Sequence, residues 1–316
     1  MNNNFNKLDK DCQKIILGWE DAPSPETGMS IDDLRKGLLL DNELTGEGPR
    51  NIITSNTVIK NRLGQNIDSR IYRNPNIKTD KTLLYLHGGG WVSCDIDTHD
   101  TFCKYLTNYG DVNVISINYR LAPENKYPAA LEDIEDVIDW IHDEHNKELQ
   151  TNSNFIGIAG DSAGGNLTAA ISLKMRDIGK DNISLQVIIY GAVSGDTTSE
   201  SYKQYGDSPY RLKKETMEWF WQQYIPSKPD IPVEYLEPIK AKDFKNLPNA
   251  LIFTSEHDVL RDEAEEYAEI LKNNNNSVYL KRFDNLPHGF VNMIGKSKIA
   301  EESSIFISKK IRDYWS

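Results

Sequence analysis

From about residue 80 to the C-terminus, short apolar runs alternate with stretches whose apolar positions recur every three or four residues. The runs are "TLLYL" (82–86), "VNVISINY" (112–119), "IGIAG" (156–160), "LQVIIY" (185–190), "ALIFTS" (250–255) and "VYLKRF" (278–283). Most are apolar at successive positions rather than alternate ones, the pattern of strands buried on both faces. Between them, Leu131, Ile134, Ile138 and Ile141 fall at helical spacing between Pro128 and Leu149. "NLTAAISLKM" after Gly165 is a helix that stops near Gly179, and "DEAEEYAEILKN" and "SSIFISKKIRDYW" are two more. Strands alternating with helices predict an α/β fold with a mainly parallel central sheet flanked by helices.

Three segments stand outside that alternation. Residues 1–45 are polar, with the short amphipathic pieces "QKIILGW" and "IDDLRKGLLL", and predict one or two helices with little core of their own. "NIITSNTVIK" and "NIDSRIYR" predict two strands around the turn "NRLGQ". Residues 195–237 are rich in aromatic and polar side chains and are expected to be an insertion. Together with residues 1–45 it would form a lid on a catalytic domain of residues 46–316. The run "NNNN" at 273–276 is expected at a loop tip.

Composition narrows the class. The chain has 316 residues, enough to bury a large core, and a formal net charge of −12. Nucleic acid and anionic membrane surfaces need a basic footprint, so neither is an expected partner. No run reaches the ~18 apolar residues of a membrane span, and the N-terminal stretch has no apolar core of a secretory signal. Cys12, Cys94 and Cys103 are sparse and odd in number, as in reduced thiols of a cytoplasmic protein.

The chemistry centres on "GDSAG", residues 160–164. It fits G-x-S-x-G between a strand and a helix, where a tight turn lifts a serine hydroxyl above the sheet edge and puts it at a helix N-terminus. Ser162 is therefore the candidate nucleophile. It needs a histidine base oriented by a carboxylate, in the chain order Ser, acid, His. His257 and His288 are the histidines that follow Ser162. His288, in a loop after "VYLKRF", is the candidate base. His257 would share a tight loop with its own acid and is expected to be structural or exposed. Asp258 is the candidate acid, with Glu256 and Asp262 as rivals. Asp262 is expected to cap the helix that follows, whereas spacing alone leaves Glu256 open. "HGGG" at 87–90 follows a strand and supplies amides without side chains, so Gly88, Gly89 and Ala163 are the expected oxyanion donors.

"HGGGW" (87–91), "YRLAPE" (119–124), "YPAALED" (127–133), "GDSAGGNL" (160–167), "DVLRDE" (258–263) and "PHGF" (287–290) occur in order. In this the chain resembles the hormone-sensitive-lipase-like family of α/β hydrolases, which contains bacterial acetyl esterases and short-chain carboxylesterases. The resemblance spans about residue 80 to the C-terminus. It implies Ser162, Asp258 and His288 as a triad, Gly88, Gly89 and Ala163 as the oxyanion hole, a short acyl chain, and a helical cap from the N-terminus and an insertion. The chain departs from the family pattern at Cys94 and Gly191, which replace a usual Gly and Pro, and at Val259, which replaces a Pro. None of these removes a catalytic group, although Cys94 bears on substrate shape.

The remaining polar residues have plainer expected roles. His87 would orient its own loop, and "YRLAPE" would fix a loop beneath the site. Trp91, Trp219 and Trp221 are expected to line the substrate pocket, with lid packing an equal alternative for the latter two. His142 and His145 lack a third metal ligand and are expected on an exposed face. The acidic run "EDIEDVIDW" is expected to be a solvated helix face. The expected function is ester hydrolysis without metal or organic cofactor, acting on a small-molecule ester, with self-association to a homodimer left open. The alternatives are a receptor-like ligand-binding member of the family and an acyltransferase or amide hydrolase with the same triad.

Overall fold

The structure, a computed structural model, describes residues 4–19, 22–142, 155–180, 182–207, 209–210, 212–227 and 232–316. Its centre is an eight-stranded sheet in the order β1-β2-β4-β3-β5-β6-β7-β8. The strands are β1 (Ile53–Lys60), β2 (Asn66–Arg73), β3 (Thr82–Leu86), β4 (Asn113–Ile117), β5 (Ile156–Asp161), β6 (Leu185–Ile189), β7 (Asn249–His257) and β8 (Val278–Pro287). β1 and β2 form an antiparallel hairpin, and β2 runs antiparallel to β4. From β4 through β8 every pairing is parallel. β3, β4, β5 and β6 are buried at every position, which is why their sequences run apolar without alternation.

Helices cover the sheet: α1 (Lys10–Leu17), α2 (Ile31–Leu40), α3 (Asp100–Gly110), α4 (Ala129–His142), α5 (Ala163–Asp177), α6 (Glu200–Tyr205), α7 (Lys214–Tyr224), α8 (Arg261–Asn273) and α9 (Lys298–Tyr314). α3 was not anticipated from sequence. It buries Phe102, Cys103, Tyr105 and Leu106 and packs against α9, so its i, i+3, i+4 pattern was present but short. α5 ends where expected, with Gly179 in the left-handed region at φ 72°. Residues 1–45 carry α1 and α2, and Phe5, Leu8, Cys12 and Ile16 sit in the main core rather than in a core of their own. The insertion carries α6 and α7. None of the three cysteines is in a disulfide. Among the described residues no helix is long and apolar enough to cross a membrane.

The acidic run on α4 is not a solvated face. Asp133 is fully buried and accepts from Arg120 Nε at 2.9 Å and from Asn61 Nδ2 at 2.9 Å. Glu135 receives Lys174 at 2.7 Å, and Asp136 receives Arg62 Nε at 2.8 Å. The basic partners come from loops and helices far along the chain, so the run's local spacing could not reveal them. His142 is half-buried rather than exposed, and burial lowers its pKa. His145 lies outside the described residues.

Candidate active site

Each functional residue stands at the C-terminal end of a parallel strand, where open α/β sheets place their ligands. Ser162 joins β5 to α5 with φ 54° and ψ −118°. For a residue with a Cβ this is a sparsely populated conformation that costs roughly 1–3 kcal/mol and persists only where the surroundings impose it. Its amide donates to the Ile189 carbonyl, and its carbonyl accepts from Asn166 and Ala192. The neighbours have to be glycine: a Cβ on Gly164 would collide with the Leu86 carbonyl, and one on Gly160 with the Gly164 carbonyl.

His288 follows β8 directly. Its Nε2 lies 3.0 Å from Ser162 Oγ and its Nδ1 lies 2.8 Å from Asp258 Oδ2. Asp258 follows β7, is 1% exposed, and uses Oδ1 to accept the amide of Leu260. The rival carboxylates are engaged elsewhere. Glu256 Oε2 accepts the Asn285 amide at 2.9 Å. Asp262 does not cap α8, whose N-cap position is Leu260; it accepts the amide of Ser201 at 2.7 Å instead. His257 ends β7, is 1% exposed, and stacks on Tyr210.

The loop after β3 corrects one expectation. The Gly88 amide donates to Asp161 Oδ1 at 2.9 Å and so is not available to a substrate oxygen. The amides of Gly89, Gly90 and Ala163 have no acceptor among the described residues, and all three residues line the cavity above Ser162. Gly90, rather than Gly88, thus offers the second unengaged amide of this loop. His87 is fully buried, stacks on Tyr119 with ring centroids 4.3 Å apart, and has Nδ1 2.7 Å from the Gly88 carbonyl. Tyr119, from "YRLAPE", donates its hydroxyl to the His87 carbonyl at 2.7 Å.

Sequence reasoning passed over Asp161 and His99. Asp161 is 2% exposed and sits among Tyr85, Gly88, His99 and Tyr190. Burial alone would raise its pKa, but His99 and Tyr85, with the charge of His288, hold it down at about 2. The signal was a charged residue at the end of an apolar strand, which stays buried only if donors converge on it.

The cavity over Ser162 has a volume of ≈ 330 Å³. Its walls include Ile16, Trp19 and Leu34 from the N-terminal segment and Tyr210, Met217 and Phe220 from the insertion. Trp91, Trp219 and Trp221 are not among the lining residues. Trp91 is 1% exposed and stacks flat on Tyr224 at 4.5 Å, with Trp221 also against it. Trp219 packs on Phe220. Trp219 and Trp221 thus take the packing role held open for them, and Trp91 packs instead of lining the cavity; Phe220 stands over Gly90, where even a single added carbon would overlap its ring. Cys94 does line the cavity.

Comparison with known proteins agrees with the fold. The family model for the alpha/beta hydrolase fold matches residues 83–292. The chain belongs to the hormone-sensitive-lipase-like family of α/β hydrolases. Among relatives within reach of this family, the carboxylic ester hydrolase LipN of Mycobacterium tuberculosis is 35% identical over 232 residues, covering 72% of this chain and 61% of that protein. An ethyl acetate hydrolase of Pseudomonas putida is 29% identical over 297 residues, covering 92% of both. The solved structure of a hyperthermophilic esterase from Pyrobaculum calidifontis superposes with a TM-score of 0.88 at 34% identity, covering 98% of this chain and 99% of that one.

Proposed function

We propose that this protein is a serine carboxylesterase that hydrolyses small, short-chain acyl esters through an acyl-enzyme on Ser162. The esterase class follows from its relatives, which are carboxylic ester hydrolases and esterases across most of the chain. The observation that carries the mechanism is the continuous contact from Ser162 Oγ through His288 to Asp258 at the floor of the cavity. In this reading His288 Nε2 takes the serine proton as Oγ attacks the ester carbonyl, while Asp258 fixes the ring and stabilises the imidazolium. The amides of Gly89, Gly90 and Ala163 receive the oxyanion, where each donor is worth on the order of 10²–10³ in rate. His288 then returns the proton to the leaving alcohol. Water activated by the same ring releases the acid.

Residues 1–45 and about 195–237 act as the cap in this proposal, because both supply walls of the cavity. The apolar walls and limited volume favour a short acyl chain. Three thiols outside any disulfide support a cytoplasmic setting. The test is hydrolysis of p-nitrophenyl esters from acetate to dodecanoate by wild type and Ser162→Ala. Activity that peaks at short chains and disappears in a folded Ser162→Ala supports the reading, and unimpaired turnover by that variant sinks it. Product analysis with an added alcohol separates hydrolysis from acyl transfer to that alcohol.

A further inference from the structure

The mechanism above gives Asp161 no part, yet it places a buried carboxylate one residue before the nucleophile. A small neutral residue would satisfy the tight turn, so the charge calls for a reason. Its four neighbours come from separate parts of the chain. Tyr85 Oη donates to Oδ1 at 2.6 Å, the Gly88 amide to Oδ1 at 2.9 Å and Tyr190 Oη to Oδ2 at 3.3 Å. His99 Nε2 lies 3.2 Å from Oδ1, a charge contact lying off a hydrogen-bond axis. Asp161 therefore ties the ends of β3, β5 and β6 together with the start of α3.

The bond to Gly88 has a directional consequence. With that amide turned inward, the chain passes through Gly89 at φ 105° and Gly90 at φ 61°. These are two of the three cavity-lining residues whose amides have no acceptor among the described residues, the third being Ala163. The carboxylate also carries an electrostatic cost: a negative charge beside Ser162 opposes the negative charge that develops on the substrate oxygen. His99 answers that cost. Its Nδ1 lies 3.0 Å from Thr98 Oγ1, whose own hydrogen goes to the Asp95 carbonyl at 2.7 Å. Both ring nitrogens thus face oxygen atoms, Nε2 toward the Asp161 carboxylate and Nδ1 toward a hydroxyl already engaged as a donor.

Building on the esterase reading, we infer that Asp161 and His99 are positioning residues for acyl transfer: Asp161 aims the oxyanion loop through the Gly88 amide, and His99 cancels the carboxylate's charge next to the reacting oxygen. The variants are Asp161→Asn, His99→Gln and the double substitution. Each is measured for kcat and KM on p-nitrophenyl acetate, for Kd of a trifluoromethyl ketone transition-state analogue, and for Tm. Displacing oxyanion donors or leaving an uncompensated charge lowers kcat by about 10- to 100-fold.

The expected result is that loss in His99→Gln, with KM within about threefold, a matching weakening of analogue affinity, and partial recovery in the double variant because the uncompensated charge is gone. Folded single variants that keep kcat within twofold would overturn the inference. So would a kcat loss with unchanged analogue affinity, or a double variant no better than His99→Gln. If Asp161→Asn fails to fold, His99→Gln decides through its kcat and analogue affinity. Loss of the esterase reading is separately visible: wild type would then show no hydrolysis dependent on Ser162, and this inference would fall with it.

Discussion

Arg35 of α2 holds Glu124 in a two-pronged ion pair, Nη1 to Oε1 at 3.0 Å and Nη2 to Oε2 at 2.9 Å. The same guanidinium donates Nε to the Val92 carbonyl and Nη2 to the Ala122 carbonyl. One side chain from the N-terminal segment therefore grips both the loop that follows "HGGG" and the "YRLAPE" loop. Planar, multidentate contacts of this kind are specific to arginine.

The first prediction concerns this grip. Glu124 is 56% exposed, so the ion pair alone contributes little, about 0.2–1 kcal/mol. The carbonyl contacts set where α2 lies over the cavity. Arg35→Met should raise KM several-fold and leave kcat within about threefold, with only a small fall in Tm. Steady-state kinetics and thermal melts check it. A kcat loss as large as that of an oxyanion variant would show that the segment does more than hold substrate.

The second prediction concerns acid stability. Burial, reinforced by the charge of His99, lowers the pKa of His87 from 6.5 to about 4. The unfolded chain then binds more protons than the folded one between those values. Stability from this group is complete above about pH 6.5 and is lost as the pH falls toward 4, by about 3 kcal/mol in total. Asp161 acts lower: with its pKa held at about 2, its contribution is complete above about pH 4 and is lost as the pH falls to 2. Glu263 runs opposite in sign, because burial raises its pKa and the folded state holds its proton longer. Urea unfolding of wild type and His87→Gln between pH 4 and 7 isolates the His87 term. The variant should give the flatter curve, and parallel curves would exclude it.

How much of this was legible in the sequence depended on how far apart the partners lie. Ser162, its glycines, and the strand and helix around it are contiguous, so local periodicity and side-chain size were enough to read them. Asp258 and His288 could be placed beside Ser162 because each strand delivers its loop to the same sheet edge, and the structure brings the three side chains into contact. The Gly88 amide was misjudged because its acceptor, Asp161, is 73 positions away. Trp91 was misjudged because its stacking partner is Tyr224, and nothing local marks that pairing. The acidic face of α4 failed for the same reason, since Arg62, Arg120 and Lys174 reach it from other elements.

The third prediction concerns Cys94, which lines the cavity with φ 67° while Cys12 and Cys103 are fully buried. Burial pushes the Cys12 thiol up to about 12 and the Cys103 thiol well above its usual value, so neither supplies a thiolate at neutral pH. N-ethylmaleimide should therefore label Cys94 first, and the adduct should block ester hydrolysis by filling the cavity. Cys94→Gly should resist inactivation and keep its fold, because glycine adopts a positive φ without strain. Mass spectrometry of the labelled chain alongside residual activity checks this. Equal inactivation of wild type and Cys94→Gly would place the sensitive group elsewhere.

The last prediction concerns chain length. Phe220 is 8% exposed, and its ring sits directly over Gly90, beside the amides assigned to the oxyanion. An acyl group that starts at Ser162 meets this ring as one of the apolar walls of a ≈ 330 Å³ space. Phe220→Ala removes the ring and opens room beside the carbonyl. The neighbours Met217 and Trp219 lie on the same helix, which holds its position through buried Trp221 and Tyr224, so collapse into the gap should be partial. Truncating a buried phenylalanine costs about 3–5 kcal/mol, so the variant should melt at a lower temperature. Its ester preference should nonetheless shift toward longer acyl chains, with kcat/KM for acetate falling and that for octanoate rising. The ratio of the two, measured below the variant's melting range, is the readout. An unchanged ratio would assign Phe220 to cap packing and put the limit on acyl length in another wall of the cavity.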